Sequence, residues 1–133
     1  AWSVTSYTEL RRDALSAERW SRLHPAEPAR TAHVAAALGE AGGPVVAVTD
    51  YLRTVPDQIA RWVARDFTVL GTDGFGRSGT RGALRRFFEI DAAHIVVAVL
   101  AALARAGQAS AAEVAAAIAR YDIDATAEDP WTP

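Results

Sequence analysis

Apolar and polar positions change period several times along the chain, and each change marks an element. W-S-V-T-S (Trp2–Ser6) alternates in β-favouring residues and predicts a strand. From Thr8 the pattern becomes T-E-L-R-R-D-A-L-S-A-E-R-W-S-R-L, in which Leu10, Leu15, Trp20 and Leu23 share one face at a helical period. His24-Pro25 ends that helix, because a proline disfavours the α region for the residue before it. Thr31–Leu38 predicts a short helix stopped by Gly39 and Gly42-Gly43. Pro44 then launches V-V-A-V-T-D, the continuous apolar run of a strand covered on both faces. In the helical stretch that starts at Asp57, Ile59, Trp62 and Val63 are spaced for one buried side, and Phe67–Leu70 is the next short strand.

Beyond a glycine-rich loop, Arg81–Phe88 predicts a short basic helix. Asp91 is placed to cap a long apolar helix, Ala92–Ala106, with Gly107 as its C′ residue. Ser110 and Glu113 form a capping box for a last helix. The tail after Tyr121, rich in Asp and Pro, is expected to lie loosely on the surface or to be disordered. Strands alternating with helices argue for an α/β fold with a mostly parallel sheet. Three strands are few for such a sheet, which should have lost a strand, borrowed one or packed against a neighbour.

Composition narrows the chemistry. The 133 residues are one domain's worth, 50% hydrophobic and 23% charged, with a formal charge of -2 that gives no long-range pull toward nucleic acid or anionic lipid. All 14 basic residues are arginine, which removes lysine Schiff bases and a P-loop lysine together. Cysteine is absent, and with it disulfides, thiolate metal sites and thiol nucleophiles. No run approaches the ~20 apolar residues of a membrane span, no signal peptide stands out, and a cytoplasmic location is the default. Methionine is absent too, so the chain is expected to be processed or to be a piece of a longer polypeptide.

V-L-G-T-D-G-F-G-R-S-G-T-R (Val69–Arg81) invites comparison with a phosphate-binding loop. A P-loop needs its lysine on the phosphates and its Ser/Thr at the very start of a helix. Here Arg77 replaces the lysine, and Gly79 and Gly82 weaken a helix at that point. The plainer reading is a strand-to-helix turn, with Ser78 or Thr80 capping the next helix. His24, His33 and His94 do not pair at metal-ligand spacing, and Asp91 with His94 reads as capping and packing. The Arg81, Arg85, Arg86 cluster could clamp a phosphate or carboxylate or be a solvated face. Trp2, Trp20 and Trp62 read as core or interface anchors.

Four co-linear stretches carry a resemblance: R-W-S-R-L-H-P (Arg19–Pro25), G-P-V-V-A-V-T-D-Y (Gly43–Tyr51), V-L-G-T-D-G-F-G-R-S (Val69–Ser78) and L-R-R-F-F-E-I-D (Leu84–Asp91). Together with W-S-V-T-S they resemble the C-terminal domain of the homodimeric-type pyruvate dehydrogenase decarboxylating component, a relative of transketolase, from Trp2 to about Ile123. The resemblance implies a three-layer α/β domain over residues 1–123 that lacks its first strand and helix, followed by a tail, 124–133. It implies that thiamine diphosphate and Mg belong to the complete enzyme, between its first two domains, and that this chain binds neither. No G-D-G…N metal-diphosphate motif occurs in the sequence, so the resemblance carries over no catalytic, cofactor-binding or metal residue.

It implies as partners the upstream catalytic domains or subunits, a second protomer and, through the whole enzyme, a lipoyl acyltransferase component; neither nucleic acid nor membrane is expected. Phe75, Arg77, Arg81 and Arg85 are the candidate interface residues. Gly79 stands where the family usually has an acidic residue, and Ser21 where it usually has asparagine. Two rival readings are a subunit of a split two-carbon-transferring enzyme and a stand-alone domain binding an anion at the glycine loop.

Overall fold

The computed structural model describes residues 1–40 and 42–132. Its elements are α1 (Tyr7–Leu23), α2 (His33–Gly39), β1 (Val45–Val48), α3 (Thr54–Asp57), a 3₁₀ turn (Ala60–Trp62), β2 (Phe67–Leu70), α4 (Arg81–Phe87), α5 (Ala92–Arg105) and α6 (Ala111–Arg120). They fall into two compact units, one of residues 1–42 with 54–65, the other of 43–53 with 66–133.

The first unit packs α1 against α2. Ser6 caps α1 by accepting the Glu9 N–H at 3.2 Å, and His24 closes it with its own N–H on the Trp20 carbonyl at 3.0 Å, so the boundary before Pro25 holds. The buried face agrees with the expected one only in part: Leu10 and Trp20 are half-buried. Ala14 and Ala17 are buried, whereas Leu15 and Leu23 are exposed: where two helices approach closely, small residues fill the contact. Ser21, one of the two departures from the family pattern, donates to the Ala17 carbonyl at 2.9 Å and accepts the Arg30 N–H at 2.9 Å, which fastens the segment after α1 to the helix.

Trp2–Ser6 is not a strand. A strand needs a ladder partner, and this segment has none among the described residues. Trp2 and Val4 instead border an apolar pouch with Leu10, Val34, Leu38 and Ile59. The expected helix from Asp57 to Val63 is also revised. Ile59, Trp62 and Val63 each donate to the carbonyl three residues back, the tighter 3₁₀ pattern. Ile59 and Val63 are buried as expected, and the Trp62 indole N–H reaches a Glu18 carboxylate oxygen at 2.8 Å.

The second unit is built on a two-stranded parallel sheet, with Val45 opposite Phe67 and Val48 opposite Leu70. Helix α5 packs on both strands and on α6. Arg105, at the end of α5, ties it to the start of β2 through Asp66 at 3.0 Å and the Thr68 hydroxyl at 2.9 Å. The strands read as covered on both faces, yet all eight strand residues are half-buried or exposed. Parallel strands are ordinarily covered on both sides, so this sheet keeps apolar surface that its own chain does not hide.

Three helices end alike. After α4, α5 and α6 the residues Glu89 (φ 58°), Gly107 (φ 71°) and Asp122 (φ 49°) turn left-handed. The next N–H then reaches back five residues, Ile90 to Arg85, Gln108 to Leu103 and Ile123 to Ile118, in the Schellman pattern. Asp91 caps α5 through the His94 N–H at 3.0 Å, and the Ser110–Glu113 capping box opens α6. The stretch Arg81–Arg105 has the length and apolar composition of a membrane span, contrary to the expectation that no run does. It is split into α4 and α5 at the Glu89 turn.

Candidate functional site

In open parallel sheets, ligands bind beyond the carboxyl ends of the strands. Here the chain leaves β1 through Thr49–Arg53 and β2 through the glycine loop, and because the strands are parallel neighbours the two exits meet. Thr72 donates its N–H to the Tyr51 carbonyl at 2.9 Å and its hydroxyl to the Asp50 carbonyl at 3.0 Å. Asp73 accepts the Arg53 N–H at 3.0 Å and, through its other oxygen, the Arg53 side-chain Nε–H. Gly71 is demanded by space: a Cβ there would lie 2.7 Å from the Tyr51 carbonyl oxygen and 2.9 Å from the Arg53 nitrogen.

From Gly74, at φ 104°, the loop swings outward. Phe75 is 72% exposed at its tip, and the Arg77 guanidinium lies 3.9 Å from the centre of the Phe87 ring. Thr80 accepts the Ala83 N–H at 3.3 Å and so caps α4. Arg85 reaches back from that helix to Asp50 at 3.5 Å. All four sequence candidates, Phe75, Arg77, Arg81 and Arg85, therefore border one open groove, floored by Leu84, Phe88 and Ile90.

This geometry is not that of a P-loop. Helix α4 begins at Arg81, past Ser78, so Ser78 does not open the helix. An acidic side chain, Asp73, is fixed within the loop by Arg53. The loop is a turn after a parallel strand, held by the neighbouring strand's exit.

Two carboxylates here are electrostatically tuned. Burial pushes the Asp73 carboxyl up, but the Arg53 side-chain and backbone bonds and its charge outweigh that and hold it below its ordinary value. Asp91 behaves likewise: burial raises it, and the His94 backbone N–H and ring, at 2.6 Å, with Arg86 bring it down. Arg86 also donates to the Tyr121 carbonyl at 3.0 Å and to that of Asp122, so the Arg86–Asp91 pair joins the end of α4, the start of α5 and the end of α6.

The linkage has a definite sign. A carboxylate with a depressed folded value binds protons less readily than the unfolded chain, so its contribution is complete above the unfolded value of about 4 and is lost as pH falls through the depressed one. Denaturant midpoints are therefore expected to be flat from pH 7 to about 5 and to fall below that. Asp73→Asn should lower the plateau and flatten the fall; an unchanged acid slope would contradict the assignment.

The other histidines lie in the first unit, on or beside α1 and α2. His24 stacks on Trp20 at 4.5 Å and its Nδ1 lies 2.8 Å from the Trp20 carbonyl, while the His33 N–H donates to Asp13 at 2.7 Å. Among the described residues no group of three or more His, Asp or Glu side chains could hold a metal ion. Sequence reasoning missed the most organised part of this region. Arg53, which binds Asp73, also lies 4.1 Å from the ring centre of Trp131, in the tail expected to be loose. The signal was faint: one tryptophan in a tail of small, acidic and proline residues.

Residues 1–91 match the family model described as the transketolase-like TK C-terminal domain. The chain is 49% identical over 130 residues to the pyruvate dehydrogenase E1 component of Pseudomonas aeruginosa, 97% of this chain and 15% of that protein. It is 52% identical over 123 residues to the Mycolicibacterium smegmatis protein of the same name, 92% of this chain and 13% of that one. For the Escherichia coli K12 protein the figures are 48% over 130 residues, 97% and 14%. The chain thus spans about a seventh of the length of these relatives and corresponds to their C-terminal part.

Proposed function

Because this chain belongs to the transketolase-like C-terminal domain family, we propose that it is the C-terminal, dimer-supporting domain of a thiamine diphosphate-dependent pyruvate dehydrogenase decarboxylating component. The observation that carries the reading is 49% identity over nearly the whole chain to a protein of that name. The physical features agree with a supporting role. The strands are only half-buried and Phe75 and Tyr51 stand exposed beyond them, surfaces suited to being covered by the rest of an enzyme.

In the complete enzyme thiamine diphosphate would supply the electron sink for decarboxylation. Mg takes oxygen ligands, carboxylates and phosphates above all, and among the described residues no three acidic or imidazole side chains gather; in this reading the metal lies with the upstream domains. This chain's part is mechanical. Phe75, Arg77, Arg81 and Arg85 form the contact surface toward the upstream catalytic domains or the second protomer, and the lipoyl acyltransferase component is met only through the assembled, cytoplasmic enzyme.

The test is a graft. These 133 residues replace the matching part of the Escherichia coli relative, and acetyl transfer from pyruvate to lipoyl groups is measured with assembly state. The chimera is expected to assemble and turn over within about tenfold of its parent, a loss of no more than ~1.4 kcal/mol. A chimera that fails to assemble removes the supporting role. Carbon dioxide release from pyruvate by the separate chain, given thiamine diphosphate and Mg, removes the claim that it holds no catalytic residue.

A further inference from the structure

We propose that the Asp129–Thr132 segment is a clamp on the glycine loop, in which Trp131, held against Arg53, fixes the conformation that presents Phe75 and Arg77. The proposal deepens the reading above, since the loop borders the proposed contact surface, but it rests on separate observations.

The first is the requirement for glycine at position 74. A Cβ there would lie 2.8 Å from the Trp131 Cα and 2.9 Å from the Pro130 carbonyl oxygen, so the backbone of the tail lies directly on the backbone of the loop. The second is the double use of Arg53. Its backbone and side-chain N–H groups both bind Asp73, and its guanidinium lies 4.1 Å from the centre of the Trp131 ring. Loop, arginine and tryptophan thus close a circuit: Asp73 to Arg53, Arg53 to Trp131, Trp131 to Gly74. The tail itself is turned to fit, with the Thr132 N–H on the Asp129 carbonyl at 2.9 Å. At Gly74–Gly76 the circuit is the loop's main support: the other ties lie before it at Thr72 or after it at Arg77 and Thr80. Residues 74–80 are exposed, and a Cβ at Gly76 would meet nothing within 4 Å. A partly exposed Arg–aromatic stack is worth about as much as a good surface ion pair, and here it adds to the Arg53–Asp73 bonds and to the tail's packing on Gly74.

The test is amide hydrogen exchange in the natural polypeptide that carries these residues. Trp131→Ala is expected to speed exchange at least tenfold at the Arg53 and Thr72 amides, which donate to Asp73 and to the Tyr51 carbonyl, while leaving the amides of α5 unchanged, and Trp131→Phe, which keeps a ring for Arg53, to restore most of the protection. Gly74→Ala, which drives a methyl into the tail backbone, should speed exchange at Thr132. Exchange at Arg53 and Thr72 within twofold of the parent in Trp131→Ala overturns the clamp, as does exchange of these two amides in the parent at the rate of an unstructured peptide. Pyruvate turnover reports on the enzyme reading and is not needed for this test. If turnover is absent and the exchange shift is present, the enzyme reading fails and the clamp stands.

Discussion

Gly71→Ala is expected to destabilise the sheet-bearing unit by about 3 kcal/mol, at the upper end of overpacking costs. Conformation is not the obstacle, since this glycine is not among those with positive φ. Space is. The added methyl meets the Tyr51 carbonyl oxygen at 2.7 Å and the Arg53 nitrogen at 2.9 Å, and both are backbone atoms that no rotamer change can remove. The two strand exits must then separate, and the Thr72 bond to the Tyr51 carbonyl and the Arg53–Asp73 bonds lie directly in the path of that movement. For a domain of this size the cost corresponds to a fall of roughly 10 °C in melting temperature. Circular dichroism melts of the natural polypeptide check it; a shift of less than about 3 °C would show that the exits can part freely. Gly76→Ala, where nothing lies within 4 Å, serves as the neutral comparison.

Phe75→Asp is expected to weaken assembly of the grafted enzyme at least thirtyfold, about 2 kcal/mol, the scale of an interface hot spot. An aromatic ring left 72% exposed at the tip of a loop makes little contact within its own chain, so the substitution should leave the fold's melting temperature nearly unchanged. Its effect falls on whatever covers the ring. Phe75→Leu, which keeps apolar bulk, should recover most of the assembly. Sedimentation equilibrium supplies the measurement. Equal association for Phe75→Asp and the parent would take this residue, and with it the groove, out of the proposed contact surface.

The elements that were readable are those governed by local rules. Phe67–Leu70 is a strand with the predicted bounds, because a short run containing β-favouring Phe, Thr and Val between Asp66 and Gly71 has few alternatives. Asp91, Gly107 and the Ser110–Glu113 pair lie where capping chemistry puts them. The family resemblance was legible for the same reason, through contiguous motifs. What escaped depends on partners distant in sequence. The alternation of Trp2–Ser6 permits a strand, but only an adjoining ladder could make it one. On α1 the periodicity picked the large apolar residues, whereas packing buried Ala14 and Ala17. The four candidate site residues were chosen from local composition, and the structure brings them around one groove. The Arg53–Asp73–Trp131 circuit that braces the loop has no local signature, because each contact joins residues that neither a helical nor a strand period relates.

The left-handed turn at Glu89 separates two futures for residues 81–105. Wound continuously, these 25 residues would make a rod of about 37 Å at 1.5 Å per residue, longer than the ~30 Å of oily interior that a lipid bilayer presents. Interrupted, they give rods of 7 and 14 residues, roughly 10 and 21 Å long, neither of which reaches across. The sign of one torsion angle, at a position that costs a non-glycine residue about 1 kcal/mol, keeps the greasiest part of the chain too short to be mistaken for an anchor.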